Sequence, residues 1–206
     1  MDPELLAAAR AAKGFMPGDE GLALYEAGLV GVRHGPLLEI GSYCGKSAVY
    51  LGAAARERDG VVFSVDHHRG SEENQPGWEH HDATLVDPET GRLDTLPHFR
   101  RTIADAGLED SVIAVVGHSP TVARHWSTPL GLVFVDGGHA FDVALADYEH
   151  WAPKLVACGL LVFHDVFEDP ADGGQAPYEV SQRAVADGFT TVSTTGSLRV
   201  LRAPKD

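Results

Sequence analysis

Five short aliphatic runs, each broken off by glycine, aspartate or histidine, constrain the fold of this chain more than anything else in it. They are Leu37–Ile40, Val61–Val65, Val112–Val116, Leu132–Val135 and Cys158–Phe163. A strand with one face in water alternates apolar and polar residues, whereas a strand covered on both faces is apolar nearly throughout. Between the runs lie stretches with helical patterning: Gly45–Arg58, Leu93–Ala106, a short segment after Pro120, Ala140–Leu155 and Tyr178–Asp187. Buried strands alternating with helices predict an α/β fold built on a doubly wound, mostly parallel, seven-stranded sheet. Its last two strands form a hairpin, Phe189–Ser193 and Leu198–Leu201, around Thr195-Gly196. Two helices precede the sheet, one opened by Asp2-Pro3 and running to Ala12, the other over Asp19–Arg33. Residues 1–206 read as one domain, with 1–33 as a helical extension.

In open α/β sheets ligands bind beyond the carboxyl ends of the strands. There the chain places Gly41, Asp66, Gly117-His118-Ser119, Asp136-Gly137-Gly138-His139 and His164-Asp165. Five such strand ends on one edge predict an active site. The turn Gly41-Ser42-Tyr43-Cys44-Gly45 joins a strand to a helix whose first N–H groups are free to face a ligand. A nicotinamide fingerprint would read G-x-G-x-x-G, but Tyr43 stands where its middle glycine admits a pyrophosphate. Glu39 adds an anion where phosphates would lie, and so suits a cationic ligand end such as the ammonium and sulfonium of S-adenosylmethionine. Asp66 occupies the place of a ribose-binding carboxylate. An NAD(P)-dependent oxidoreductase or epimerase on the same fold is the alternative that Glu39 and the missing glycine oppose.

Glu39-Ile40-Gly41-Ser42-Tyr43-Cys44-Gly45-Lys46-Ser47-Ala48 resembles the first motif of the catechol type of class I S-adenosylmethionine-dependent O-methyltransferases. The resemblance covers roughly Leu37 to Phe167. It implies that Glu39, Gly41, Ser42, Gly45, Ser47, Asp66, His67, Gly117, Ser119 and Asp136 contact the cofactor. Catechol-type enzymes carry Asp-Asn after the fifth strand, where this chain has His164-Asp165. Asp136-Gly137-Gly138-His139 is instead similar to the metal-dependent sugar O-methyltransferases, in which the histidine is the base. The length, the Asp2-Pro3-Glu4 start and the histidine-rich loop resemble members of that group that methylate the 1-OH of methylmannosides in polysaccharide biosynthesis. The resemblance implies Mg²⁺ or Mn²⁺ at Asp136, His164 and Asp165, His139 as base, and a sugar or polyol acceptor. A phenol or catechol acceptor is the second reading. Two carboxylates at adjacent strand ends suit a hard octahedral cation on their own chemistry.

Residues 67–92 are too long for an ordinary connection and carry His67, His68, Trp78, His80 and His81, as a substrate lid would. Phe167–Pro177 is a second candidate lid. A formal charge of −14 without a basic cluster argues against nucleic acid and anionic membranes as partners. No stretch approaches the roughly 20 apolar residues of a bilayer span. Two cysteines, Cys44 and Cys158, and a start unlike a signal peptide suit the cytoplasm. Leu5, Leu6, Ala9, Leu22, Leu24 and Leu29 give the first two helices apolar faces that could cover the sheet or make a homodimer.

Overall fold

The structure, a computed structural model, describes residues 1–78 and 80–205. Helices α1 (Pro3–Ala11) and α2 (Gly18–Gly31) lead into β1 (Leu37–Ile40), α3 (Lys46–Arg56), β2 (Val62–Asp66), α4 (Leu96–Asp105) and β3 (Val112–Val116). Then come α5 (Ser119–Arg124), β4 (Leu130–Val135), α6 (Phe141–Trp151), β5 (Leu155–Phe163), α7 (Ala176–Ala186), β6 (Thr190–Thr195) and β7 (Leu198–Arg202). The strands form one seven-stranded sheet in the order β3-β2-β1-β4-β5-β7-β6, parallel except where β7 pairs with β5 and β6. The α/β, doubly wound, mostly parallel sheet expected from the aliphatic runs is therefore the observed fold.

The winding changes direction between β1 and β4, which opens a crevice beyond their carboxyl ends. Register fixes what faces it. Ile40 pairs with Val65 and Val135, and Val135 pairs with Phe163, so Gly41, Asp66, Asp136 and His164 follow side by side.

Successive strand residues point to opposite faces, and the core divides accordingly. Leu37, Leu132, Phe134, Leu160 and Val162 pack with α1 to α4. Leu38, Ile40, Val133, Val135, Leu161 and Phe163 pack with Ala144, Tyr148 and Trp151 of α6 and Val180 and Ala184 of α7. Leu5, Ala9 and Leu24 of the N-terminal helices are buried within the chain's own core.

Several element boundaries shift by a few residues from expectation, among them those between α6 and β5. The helix expected over Ala140–Leu155 stops at Trp151, because Pro153 lacks the N–H needed to continue it. A short 3₁₀ turn, Ala152–Lys154, follows, and β5 begins at Leu155 rather than Cys158. The segment after Asp66 is not bare loop either. It holds 3₁₀ turns at Glu72–Asn74 and Ala83–Leu85 and a Val86–Leu93 bridge. No helix among the described residues is long and apolar enough to cross a membrane.

Candidate active site

Close packing shapes the turn after β1. Gly41 has φ +87°, and a Cβ there would lie 2.0 Å from the backbone oxygen of Asp136. Only glycine lets the ends of β1 and β4 approach this closely. Gly45, with φ +93°, starts α3. Ser42 and Tyr43 both donate backbone N–H groups to Asp66 Oδ2 at 2.9 Å, and His68 N–H donates to Oδ1 at 2.7 Å. Asp66 thus folds the loop, and its Oδ1 keeps acceptor capacity for a ribose hydroxyl.

Glu39 is fully buried. Its Oε1 accepts the Ser64 hydroxyl at 2.6 Å, while Oε2 has no partner. Burial pushes this carboxyl up to about 7, the Asp136 and Asp66 charges add to the rise, and the Ser64 hydrogen bond opposes it. Ser42 Oγ is also buried without a partner. Buried polar groups are almost always paired, and these two open ones lie together at the glycine turn.

His67 and His118 stand with ring centroids 4.7 Å apart. They line a cavity of about 420 Å³ together with Arg69, Gln75, His81 and Leu93. Gly117 N–H donates to the Asp66 carbonyl at 3.0 Å, which holds the turn after β3 beside the turn after β2. Ser119, expected at the cofactor, is bonded to α6. Its hydroxyl donates to Asp147 at 2.5 Å and accepts from Trp151 Nε1 at 2.7 Å, so α6 engages it and His118 takes its place at the cavity. Burial raises Asp147 to about 6.

Across the crevice, Asp136, His139 and Asp165 each offer one ligand atom, all within 4.8 Å of one another. His139 Nε2 lies 3.2 Å from Asp165 Oδ2, and its Nδ1 lies 3.1 Å from Glu73 Oε2 of the long loop. The hydrogen bond with Asp165 raises His139 to about 9 against the effect of burial, with Glu73 and Asp136 adding charge. Burial would raise Asp165, but bonds with His139 and His164 hold it well below the carboxylate range. Burial holds Asp136 above its ordinary value despite the opposing pull of His164.

His164, expected as a metal ligand, is 4 % exposed with both ring nitrogens bonded to carboxylates. Nε2 meets Glu20 Oε2 at 2.6 Å, and Nδ1 meets Asp136 Oδ1 at 3.1 Å and Asp165 Oδ2 at 3.4 Å. Burial favours the neutral ring, yet these carboxylates raise it to about 12. His139 takes the place expected for His164 beside the two aspartates. Four carboxylates, Glu20, Glu73, Asp136 and Asp165, thus surround two imidazoles. Their donor set, two hard oxygens and an imidazole nitrogen in partly open positions, fits a divalent cation such as Mn²⁺ or Mg²⁺. Glu20 and Glu73 escaped the sequence reading, because no motif marks a glutamate on a distant helix or loop.

The remaining loop histidines serve separate ends. His68 is buried with Nδ1 2.8 Å from Thr95 Oγ1, and His81 Nδ1 meets the Asn74 carbonyl at 3.0 Å. His80 stacks at 4.8 Å from Phe15, and Trp78 is exposed. Lys13 pairs with Asp82 and donates to Thr84 Oγ1 at 3.1 Å, fastening the loop to the α1–α2 connection. Within Phe167–Pro177, the Phe167 ring lies over Gly173 and Gln175 Nε2 donates to the Phe167 carbonyl at 3.1 Å.

Similar folds are found among solved methyltransferases. One is an SAH-bound methyltransferase from Podospora anserina, 15 % identical at a TM-score of 0.67, covering 98 % of this chain and 88 % of that one. Another is the O-methyltransferase TomG from Streptomyces achromogenes, in complex with SAM and involved in tomaymycin synthesis. It is 19 % identical at a TM-score of 0.63, covering 99 % and 91 %. A third is a methyltransferase from Geobacter sulfurreducens, 19 % identical at a TM-score of 0.60, covering 98 % and 90 %. At these identities the likeness establishes the fold. Residues 38–166, from β1 to just past His164-Asp165, match the family described as a methyltransferase domain, and the chain belongs to that family.

Proposed function

We propose that the protein transfers a methyl group from S-adenosylmethionine to a hydroxyl of a sugar or polyol, the 1-OH of a methylated mannoside being the specific candidate. The observation that carries this reading is the meeting of Asp136, His139 and Asp165 across a crevice from the unpaired Glu39 Oε2. The SAH and SAM bound in the Podospora and Streptomyces proteins support the choice of donor, and the Streptomyces enzyme's O-methyl transfer supports oxygen as acceptor.

Glu39 Oε2 accepts the donor's ammonium group, Ser42 Oγ adds a hydrogen bond, and Asp66 Oδ1 meets the ribose. His67 and His118 flank the adenine. Asp136 and Asp165 hold the divalent cation, in agreement with their hard oxygen donors. The chemistry a cation held there would supply is a lowered pKa for the acceptor hydroxyl. His139 is the base. Glu73 faces its Nδ1 and Asp165 faces its Nε2. A base must be unprotonated to act, so the Asp165–Nε2 bond would have to open before His139 accepts a proton. The sulfur–methyl bond then breaks as the oxygen–methyl bond forms, and the hydroxyl proton passes to Nε2.

The test is calorimetric titration with S-adenosylhomocysteine and with NAD⁺, followed by methyl-transfer assays on methylmannosides and on catechol, with Mg²⁺ and with chelator. Binding of S-adenosylhomocysteine with or without chelator, and mannoside methylation only with the cation, is the expected result. Binding of NAD⁺ alone would overturn the donor assignment. Cation-independent turnover would remove the metal, and preference for catechol would replace the acceptor.

A further inference from the structure

Glu20 belongs to α2, a helix outside the region of family resemblance, yet its carboxylate lies inside the acid–imidazole cluster. It is 4 % exposed. Its Oε1 accepts the Ser197 N–H at 2.7 Å, the Ser197 hydroxyl lies within 3.2 Å of both oxygens, and Oε2 meets His164 Nε2 at 2.6 Å. The approach is so close that a Cβ on Gly196 would lie 2.1 Å from Glu20 Oε1, and Gly196 has φ +53°. The β6–β7 turn is therefore shaped around this carboxylate.

We propose that Glu20 is a positioning residue which, through His164, fixes Asp136 and Asp165 for a divalent cation; this rests on the cation reading of the site. A histidine that ligates a metal keeps one nitrogen free for it. His164 has none free: Glu20 takes Nε2, and the two aspartates share Nδ1. Its geometry is that of an outer-shell donor. Ligating carboxylates need such partners to hold their orientation, and losing one typically weakens metal binding about 10–100-fold.

A purely structural clasp between α2 and the hairpin would be served by the Ser197 contacts alone. Burying an extra carboxylate against an imidazole is a poor way to gain stability, because desolvation offsets most of the attraction. The pair makes sense where it controls the orientation of something else, and the Nδ1 side of the ring shows what that is.

The experiment is Mn²⁺ titration followed by electron paramagnetic resonance of the free ion, with S-adenosylhomocysteine affinity measured in parallel. It compares wild type, Glu20→Gln, His164→Gln, the double variant and Ser197→Ala. Glu20→Gln is expected to raise the Mn²⁺ Kd roughly 10–100-fold and leave S-adenosylhomocysteine binding unchanged. His164→Gln should act similarly, and the double variant should lose no more than the worse single, because both act through one contact. Ser197→Ala, which spares the glutamate–imidazole bond, should stay within about twofold of wild type. Saturable Mn²⁺ binding that survives Glu20→Gln would overturn the positioning role and leave the cation reading standing. If Glu20→Gln does not fold, His164→Gln decides from the other end of the contact, and wild-type Mn²⁺ affinity there overturns the proposal. A loss in Ser197→Ala equal to that in Glu20→Gln would reduce Glu20 to a clasp. Absence of saturable Mn²⁺ binding in the wild type would overturn both readings together.

Discussion

Beyond β1, Glu39 Oε2 and Ser42 Oγ are buried without a partner, whereas beyond β4 and β5 Asp136, His139, His164 and Asp165 bond to one another. The first side of the crevice holds unsatisfied groups that the proposed donor would complete. The second side is closed on itself, so under the proposed function a cation or acceptor would enter by replacing an existing contact. The His139–Asp165 bond is the one to yield, since both groups are partly open while His164 and Glu20 are sealed. The two sides of the crevice thus differ physically: unsatisfied groups on one, ion pairs on the other.

The largest effect should come from the closed side. His139→Ala is expected to lower kcat about 10²–10⁴-fold while S-adenosylhomocysteine affinity is retained. Single-turnover assays beside calorimetry check this, and a joint loss of turnover and binding would erase the division between the two sides. Next is the seam between them. Gly41→Ala places a Cβ against a backbone oxygen at positive φ, with no flexible side chain to give way. A loss of about 3 kcal/mol or more is expected in urea unfolding.

The open side has its own signature in pH. Glu39 is raised from 4.5 to about 7 when folded, so its contribution to stability is present below the unfolded value and lost as pH rises through about 7. Glu39→Gln should remove this slope, leaving the ligand-free variant more stable than wild type at pH 8 by up to about 3 kcal/mol. The same variant should bind S-adenosylhomocysteine more weakly. Denaturation series at pH 5 and pH 8 read the first effect, and unchanged slopes would refute the buried-acid account. The smallest change belongs to the loop fastening: Lys13→Ala removes an exposed ion pair and should cost under about 1 kcal/mol of stability, measured by thermal melting.

Sequence reasoning reached further on the open side than on the closed one. Glu39, Gly41, Gly45 and Asp66 sit in a contiguous turn or at a strand end, where local chemistry dictates their place. The partners of Ser119, Asp147 and Trp151, lie on a helix that the turn meets only in three dimensions, so they could not be read along the chain. The same holds for His164, since its place after β5 says nothing about Glu20.

By itself, the sequence determined the strands, their buried character, the glycine turn and the set of acids and histidines at the carboxyl edge. Hydrophobic periodicity and backbone stereochemistry are local and can be read along the chain. The tertiary structure alone decided which imidazole meets which carboxylate. Glu20 lies 144 positions from His164 and Glu73 lies 66 from His139. Contacts over such separations follow from how α2 and the long loop pack across the sheet, which no local pattern encodes.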